Sequence, residues 1–198
     1  FSGQYRTIPS DIFLRSIETL VKGIDYSIYV SSWEESGISM DHSSNVPSIE
    51  KEKNLDLKVK NLFADFNLVN FEFENYFQFN SLLNERYKKI LISTKFHKGT
   101  IHSLPQLYKI IKSYKLFEAE KENYDLVFRC RFDSVFIHPL NLFPLNKFVD
   151  TNSLYNINFG RSYYPKRVYD IFFGGSVSSM SFLDNLWNEI PDLIDNKF

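Results

Sequence analysis

The densest chemistry in the chain lies in Arg129-Cys130-Arg131-Phe132-Asp133. The run around it, Tyr124 to Ser134, is rich in strand formers and contains neither Gly nor Pro. Strand alternation puts Arg129, Arg131 and Asp133 on one face and Phe128, Cys130 and Phe132 on the other. Guanidinium forks match phosphate oxygens, and a carboxylate beside them can hold a divalent cation that also takes phosphate oxygens. The same residues could instead make a structural ion pair, Arg131 to Asp133 or to another acid, and the local pattern leaves both readings open.

Other stretches offer partners for that chemistry. Ser2-Gly3-Gln4-Tyr5-Arg6 reads as the carboxyl end of a first strand just before a helix, which is where open α/β sheets bind ligands. Gly3 lets a ligand approach the backbone, Gln4 offers an amide, and Arg6 offers a fork. A plain turn with a solvated Arg6 is the alternative. Trp33 ends the second strand on the same edge, as a ligand contact or as a rim-packing ring. Asp170, ahead of Phe172-Phe173-Gly174-Gly175-Ser176, suits a catalytic base or an acceptor ligand, or else a capping loop carboxylate. Arg161, Lys166 and Arg167 with Tyr163 and Tyr164 form a basic aromatic loop that could grip a diphosphate or a sugar, or stay solvated.

Composition narrows the classes. The 198 residues suffice for one sizeable domain. A net charge of −1 argues against a general nucleic-acid binder. With 20 Phe and 12 Tyr, the core must be built from large rings. Cys130 is the only cysteine, so no internal disulfide forms, and its apolar strand face suits a small buried hydrophobe better than a nucleophile. Neither phosphate-binding glycine motif is present, nor is the Gly-x-Ser-x-Gly elbow. His42, His97, His102 and His138 lack zinc-site spacing. No apolar run is long enough for a membrane helix. The chain opens at Phe1, as if at the end of a strand that begins earlier, and a removed targeting segment stays open.

Several elements must position these groups. The pattern predicts a helix from Ser10, with Ile12, Phe13, Ile17, Leu20 and Val21 at helical spacing and Gly23 as its stop. A strand over 25–33 follows, completing a βαβ unit with parallel strands. The polar stretch 34–54 reads as loop, with a helix beginning near Ser48 and running to about Asp65. Leu68–Glu74 alternates as a strand, and 76–96 is helical in part. Ser103 reads as the cap of a strong helix, with Pro105 in its first turn and Gln106 at the capping-box position. Beyond the central strand, 153–160 and 171–176 read as strands, and a helix starts at Ser176 or Ser179. This order predicts an α/β fold with a mostly parallel sheet and no internal domain boundary.

Taken in sequence, Gly3-Gln4-x-Arg6, Trp33, Gln106 with Tyr108, Tyr124-Asp125 with Arg129-x-Arg131-x-Asp133, and Asp170 ahead of Gly174-Gly175-Ser176 resemble a family of short nucleotide-sugar glycosyltransferases found in bacterial surface-polysaccharide clusters and large DNA viruses. The resemblance spans most of the chain. It implies a single GT-A-like domain, Rossmann-like, with a mostly parallel sheet flanked by helices, a nucleotide-binding part over about 1–134 and an acceptor side over about 135–198. Where many GT-A enzymes carry Asp-x-Asp, this chain has Arg131-Phe132-Asp133, with one carboxylate.

The resemblance implies a transferase of polysaccharide biosynthesis that moves a sugar from a UDP- or GDP-type donor to a glycan or other hydroxyl acceptor. It gives nucleotide-sugar binding to Ser2, Gly3, Gln4, Arg6, Trp33, Gln106, Arg129 and Arg131. Asp133 would hold Mn²⁺ or Mg²⁺ on the diphosphate, unless the arginines replace the metal. Asp170 would be the base of an inverting reaction; inversion and retention both stay open. No nucleic-acid partner is expected. The expected location is cytoplasmic, with peripheral association at the inner face of a membrane left open, as is the oligomeric state. The competing class is a catalytically inactive nucleotide- or carbohydrate-binding module, and a nucleotidyl- or phosphotransferase is a third.

Overall fold

A computed structural model describes residues 1–3, 9–39, 48–50, 54–83, 85, 87–88, 100–149, 154–156 and 172–195. Its elements begin with β1 (Ser2–Gly3), α1 (Ser10–Leu20), β2 (Ile28–Trp33), β3 (Ser36–Ser39), β4 (Ser48–Glu50), α2 (Leu55–Leu62), β5 (Leu68–Glu74) and α3 (Tyr76–Leu82). Then come α4 (Thr100–Glu118), β6 (Leu126–Cys130), α5 (Asn146–Val149), β7 (Tyr155–Asn156), β8 (Phe172–Ser176), α6 (Val177–Met180) and α7 (Leu183–Asp195).

The strand, helix and strand at the start form as the periodicity predicts. In α1, Phe13, Ile17 and Leu20 recur on one face and are buried. Asp11 lies in the first turn, where the helix dipole favours a carboxylate. Gly23 has φ +74°, and a Cβ there would stand 2.9 Å from Asn141 Nδ2, so the chain turns out of the helix at a residue without a side chain. β1 and β2 pair in parallel through Ser2–Ser31 and Gly3–Ser32. β2 and β5 pair in parallel from Ile28–Leu68 to Trp33–Glu74.

Each face of this sheet meets a different helical layer. Ile28 and Val30 of β2, with Phe71 and Phe73 of β5, belong to the core shared with α1 and α2, where Phe63 and Val59 are fully buried. On the opposite face Tyr29 meets Phe117 of α4, and Trp33 stacks on Tyr108 of the same helix. Phe, Tyr and Trp fill both layers by edge-to-face and offset contacts, as a ring-rich composition requires.

A second three-stranded sheet runs β6-β8-β7, antiparallel throughout. Gly174 of β8 lies opposite Phe128, and a Cβ there would fall 2.3 Å from Val127 O and 2.4 Å from Phe128 Cδ1. The Phe128 ring therefore covers a position that only glycine can fill. Ser176 caps α6, its Oγ accepting from Ser179 N at 3.1 Å.

The chain is thus α/β and forms one compact domain, but the sheet is mostly parallel only in its first part. Among the described residues two strand pairings are parallel and three antiparallel. Three local expectations change as well. Residues 34–54 contain the antiparallel pair β3–β4, whose backbone bonding leaves no mark in a Ser-rich composition, so Ser48–Glu50 is a strand and the helix expected from near Ser48 begins at Leu55. The helix with Ser103 begins at Thr100, so Pro105 lies inside it and removes one backbone bond instead of opening the helix. The central strand ends at Cys130, and Phe132 and Asp133 belong to a turn closed by Ser134 N on Arg131 O at 3.3 Å. No helix among the described residues is long and apolar enough to cross a membrane.

Candidate functional site

The carboxyl ends of β1 and β6 meet through one side chain. Arg129 is buried, at 4% exposure, and its Nε donates to Ser2 Oγ at 3.0 Å while Nη2 approaches Ser2 O at 3.5 Å. Ser2 is itself 1% exposed. Gly3 leaves the strand at φ +107°, a conformation that L side chains avoid. A Cβ on Gly3 would be in ordinary contact with Arg129 Nη2, at 3.9 Å, so backbone geometry rather than lack of space calls for glycine there.

Arg131 and Asp133 form a two-bond fork: Nε donates to Oδ1 at 2.7 Å and Nη2 to Oδ2 at 2.5 Å. Their side chains are 20% and 23% exposed. Between them Phe132 turns inward, 1% exposed, against Phe1 at a centroid distance of 5.8 Å. Cys130 is buried in the same core, and burial pushes its thiol up to about 11. The alternation expected beyond the strand end thus holds for Cys130 and Phe132 inside and for Arg131 and Asp133 outside. The ion pair that the local pattern allowed is present.

At the carboxyl end of β2 and β5 lies a polar cluster that sequence reasoning missed. Lys109 of α4 has no exposed surface, and its Nζ reaches Glu74 Oε2 at 2.6 Å while standing 4.4 Å from the Trp33 ring centroid. Tyr108 donates to Glu74 Oε1 at 3.0 Å, and Lys112 lies 3.5 Å from both Glu72 and Glu74. Burial alone would raise the Glu74 carboxyl, but Lys109, Lys112 and Tyr108 together hold it below its usual range. Burial lowers the Lys109 ammonium, against the pull of Glu74. Glu35, 1% exposed, accepts from Tyr76 N and from Asn75 Nδ2, both at 2.8 Å, and so caps the start of α3 from across the sheet edge. The signal for the cluster was in the chain: acids two apart at a strand end, lysines three apart on a helix.

The expected site residues are therefore distributed unevenly. Ser2, Gly3 and Arg129 come together, with Arg131 and Asp133 just beyond them. Trp33 is 2% exposed inside a ring cluster with Tyr76, Phe79 and Tyr108, and acts there as a core ring. Gln106 sits half-buried on α4, one turn from Lys109. Gln4, Arg6 and Asp170, with the basic aromatic loop 161–167, lie outside the described residues.

The donor set fits a divalent cation poorly. Both Asp133 oxygens accept from Arg131, and among the described residues no group of three His, Cys, Asp or Glu side chains converges. A cation at Asp133 would face the guanidinium charge directly. Compared with known proteins, the chain matches no family model, no curated protein and no solved structure.

Proposed function

We propose that the chain is a nucleotide-sugar-dependent glycosyltransferase with a GT-A-like nucleotide-binding half. The observation that carries this reading is the Arg129–Ser2 bond. It joins the glycine-bearing end of a parallel strand to the end of β6, just ahead of Arg131 and Asp133, at the carboxyl edge where α/β sheets bind ligands.

In this reading Ser2 and Gly3 line the base and ribose, with Gln4 and Arg6 following. Arg131 faces the diphosphate, and Arg129 fixes the backbone that presents it. Departure of a nucleoside diphosphate develops negative charge, which preorganised guanidiniums stabilise. Asp133 holds the Arg131 fork in place. Asp170 is the proposed base on the acceptor hydroxyl, and a glycan is the proposed acceptor.

Calorimetry with UDP and GDP, each with and without Mn²⁺, tests the reading. Binding of one nucleotide class in the micromolar range, lost in Arg131→Gln, supports it. No binding of either nucleotide under any condition overturns it. Wild-type transfer by Asp170→Asn removes Asp170 from the role of base.

A second reading, a nucleotide- or carbohydrate-binding module without catalysis, is favoured by the same fork, because it engages both oxygens of the Asp133 carboxylate. Retained nucleotide binding without donor hydrolysis or transfer would select it.

A further inference from the structure

Residues 135–149 run as a strap alongside α1. Phe136 N donates to Ser16 Oγ at 2.5 Å in the middle of the helix, and Asn141 lies beside Gly23 just past its end. Phe136 and Leu140 are buried in the core that holds Ile17 and Leu20, and they anchor the strap. Around these anchors other side chains turn outward. Ile137 is 78% exposed and Leu142 is 69% exposed, and Val135, Phe143 and Val149 are exposed as well. Five of the ten large apolar side chains exposed among the described residues fall in this one segment. Exposed apolar residues scattered singly are ordinary, but a concentration of them marks a surface that is covered in use.

Backbone and charge together select the cover. Leu142 N donates to Pro139 O at 3.2 Å, Phe143 N to Leu140 O at 3.0 Å, Leu145 N to Phe143 O at 2.7 Å and Lys147 N to Pro144 O at 2.9 Å. Pro139 and Pro144 carry no N–H at all. The exposed tip thus has these backbone donors already bonded within itself, which is what entry into a lipid interface requires. A partner strand would need such donors free. Residues 135–149 contain neither Asp nor Glu, whereas His138 and Lys147 are exposed. The nearest acids in sequence, Asp133 and Asp150, lie outside its two ends, and Asp133 is forked by Arg131. Outward apolar side chains with a cation among them and no acid suit an anionic bilayer surface.

We propose that residues 135–149 form a membrane-docking surface, which seats Ile137, Leu142 and Phe143 in the interface of an anionic bilayer and sets Lys147 among the headgroups. Because Phe136 and Leu140 fix the strap on α1, docking orders little that is not already ordered, and binding keeps more of the energy of the buried side chains. A seat of this kind requires no nucleotide site and holds with or without one.

Cosedimentation with phosphatidylcholine vesicles, and with vesicles in which roughly a third of the lipid is phosphatidylserine, tests this. Binding should be at least ~10-fold tighter on the anionic vesicles and should weaken as salt rises. Ile137→Ser combined with Leu142→Ser should weaken it ~10-fold or more and leave Tm unchanged, because both side chains are exposed. Leu57→Ser, equally exposed but on α2, should leave binding unchanged. An environment-sensitive dye on Leu142→Cys should shift to the blue on anionic vesicles, and the same dye on Leu57→Cys should not; the buried Cys130 does not compete for the label. The dye decides the matter if the paired variant loses Tm. Absence of binding to anionic vesicles, equal binding to both vesicle types, an equal loss in Leu57→Ser or an unshifted dye on Leu142→Cys overturns the proposal. Dimerisation of the chain that the Ile137→Ser and Leu142→Ser pair abolishes also overturns it, in favour of a second copy.

Discussion

Arg129 and Ser2 stand 127 residues apart in sequence and share a buried hydrogen bond of 3.0 Å. The bond ties the first parallel strand to the first strand of the antiparallel sheet. A buried guanidinium is costly where its donors go unmatched, and Ser2 takes two of those of Arg129, so this contact carries both architecture and electrostatics.

Replacing either partner should separate those two contributions. Ser2→Ala removes one acceptor from a buried charge and should lower unfolding free energy by about 1–3 kcal/mol. Arg129→Lys, which lacks the planar fork, should cost at least as much and weaken nucleotide binding as well. Urea melts and calorimetry on both variants measure the two effects. Unchanged stability in Ser2→Ala would show that the bond does not hold the sheets together.

The Arg131–Asp133 fork is partly exposed, so its removal should matter little to folding. Arg131→Gln and Asp133→Asn should each shift stability by less than about 1 kcal/mol. If Arg131 faces a diphosphate, Arg131→Gln should weaken nucleotide affinity by ~10-fold or more. Asp133→Asn should weaken it less, and the loss should be independent of Mn²⁺. A loss in Asp133→Asn that appears only with Mn²⁺ present would give the carboxylate to the metal instead.

Glu74 should behave in the opposite way. Glu74→Gln leaves Lys109 buried without its counter-charge and should cost about 3–5 kcal/mol, more than Lys109→Met, which keeps the stem against Trp33. The pH dependence follows from the lowered Glu74 carboxyl. Its contribution is fully present above the unfolded value of 4.5 and is lost as pH falls through the lower folded value. Melts of the wild type and Glu74→Gln should therefore converge below pH 4.5. A constant gap down to the acid transition would refute the assignment.

Gly174→Ala is the sharpest packing test. The new methyl would meet a backbone carbonyl and the Phe128 ring well inside contact distance, so the loss should be about 3 kcal/mol or more and lower Tm by at least about 6 °C. A Gly174→Ala variant with the wild-type Tm would contradict the geometry at Gly174.

What could be read from sequence was whatever repeats with a period. α1, β2 and β5 were legible because apolar residues recur at helical or strand spacing, and Leu68–Glu74 has the predicted ends. The strand around Arg129 was legible for the same reason, and with it the inward Phe132. Partnership was not legible. Arg129 had the chemistry of a ligand contact, yet its fork turns to Ser2, a pairing set by the crossing of two distant strands. Glu74 and Lys109 were overlooked because each looks like an ordinary surface charge until β5 and α4 are packed together. Pro105 misled because a first-turn proline and an internal one look alike locally.

Cys130 gives the molecule a built-in clock. It is the chain's single thiol, and it lies buried beside the seam where the two sheets meet, with its ionisation suppressed. An alkylating reagent can reach it only in molecules that have opened there. At reagent concentrations where reclosing is faster than labelling, the labelling rate divided by that of a free thiol is the fraction of time the seam stands ajar. One residue thus converts an invisible breathing motion into a countable chemical event, with no engineered probe.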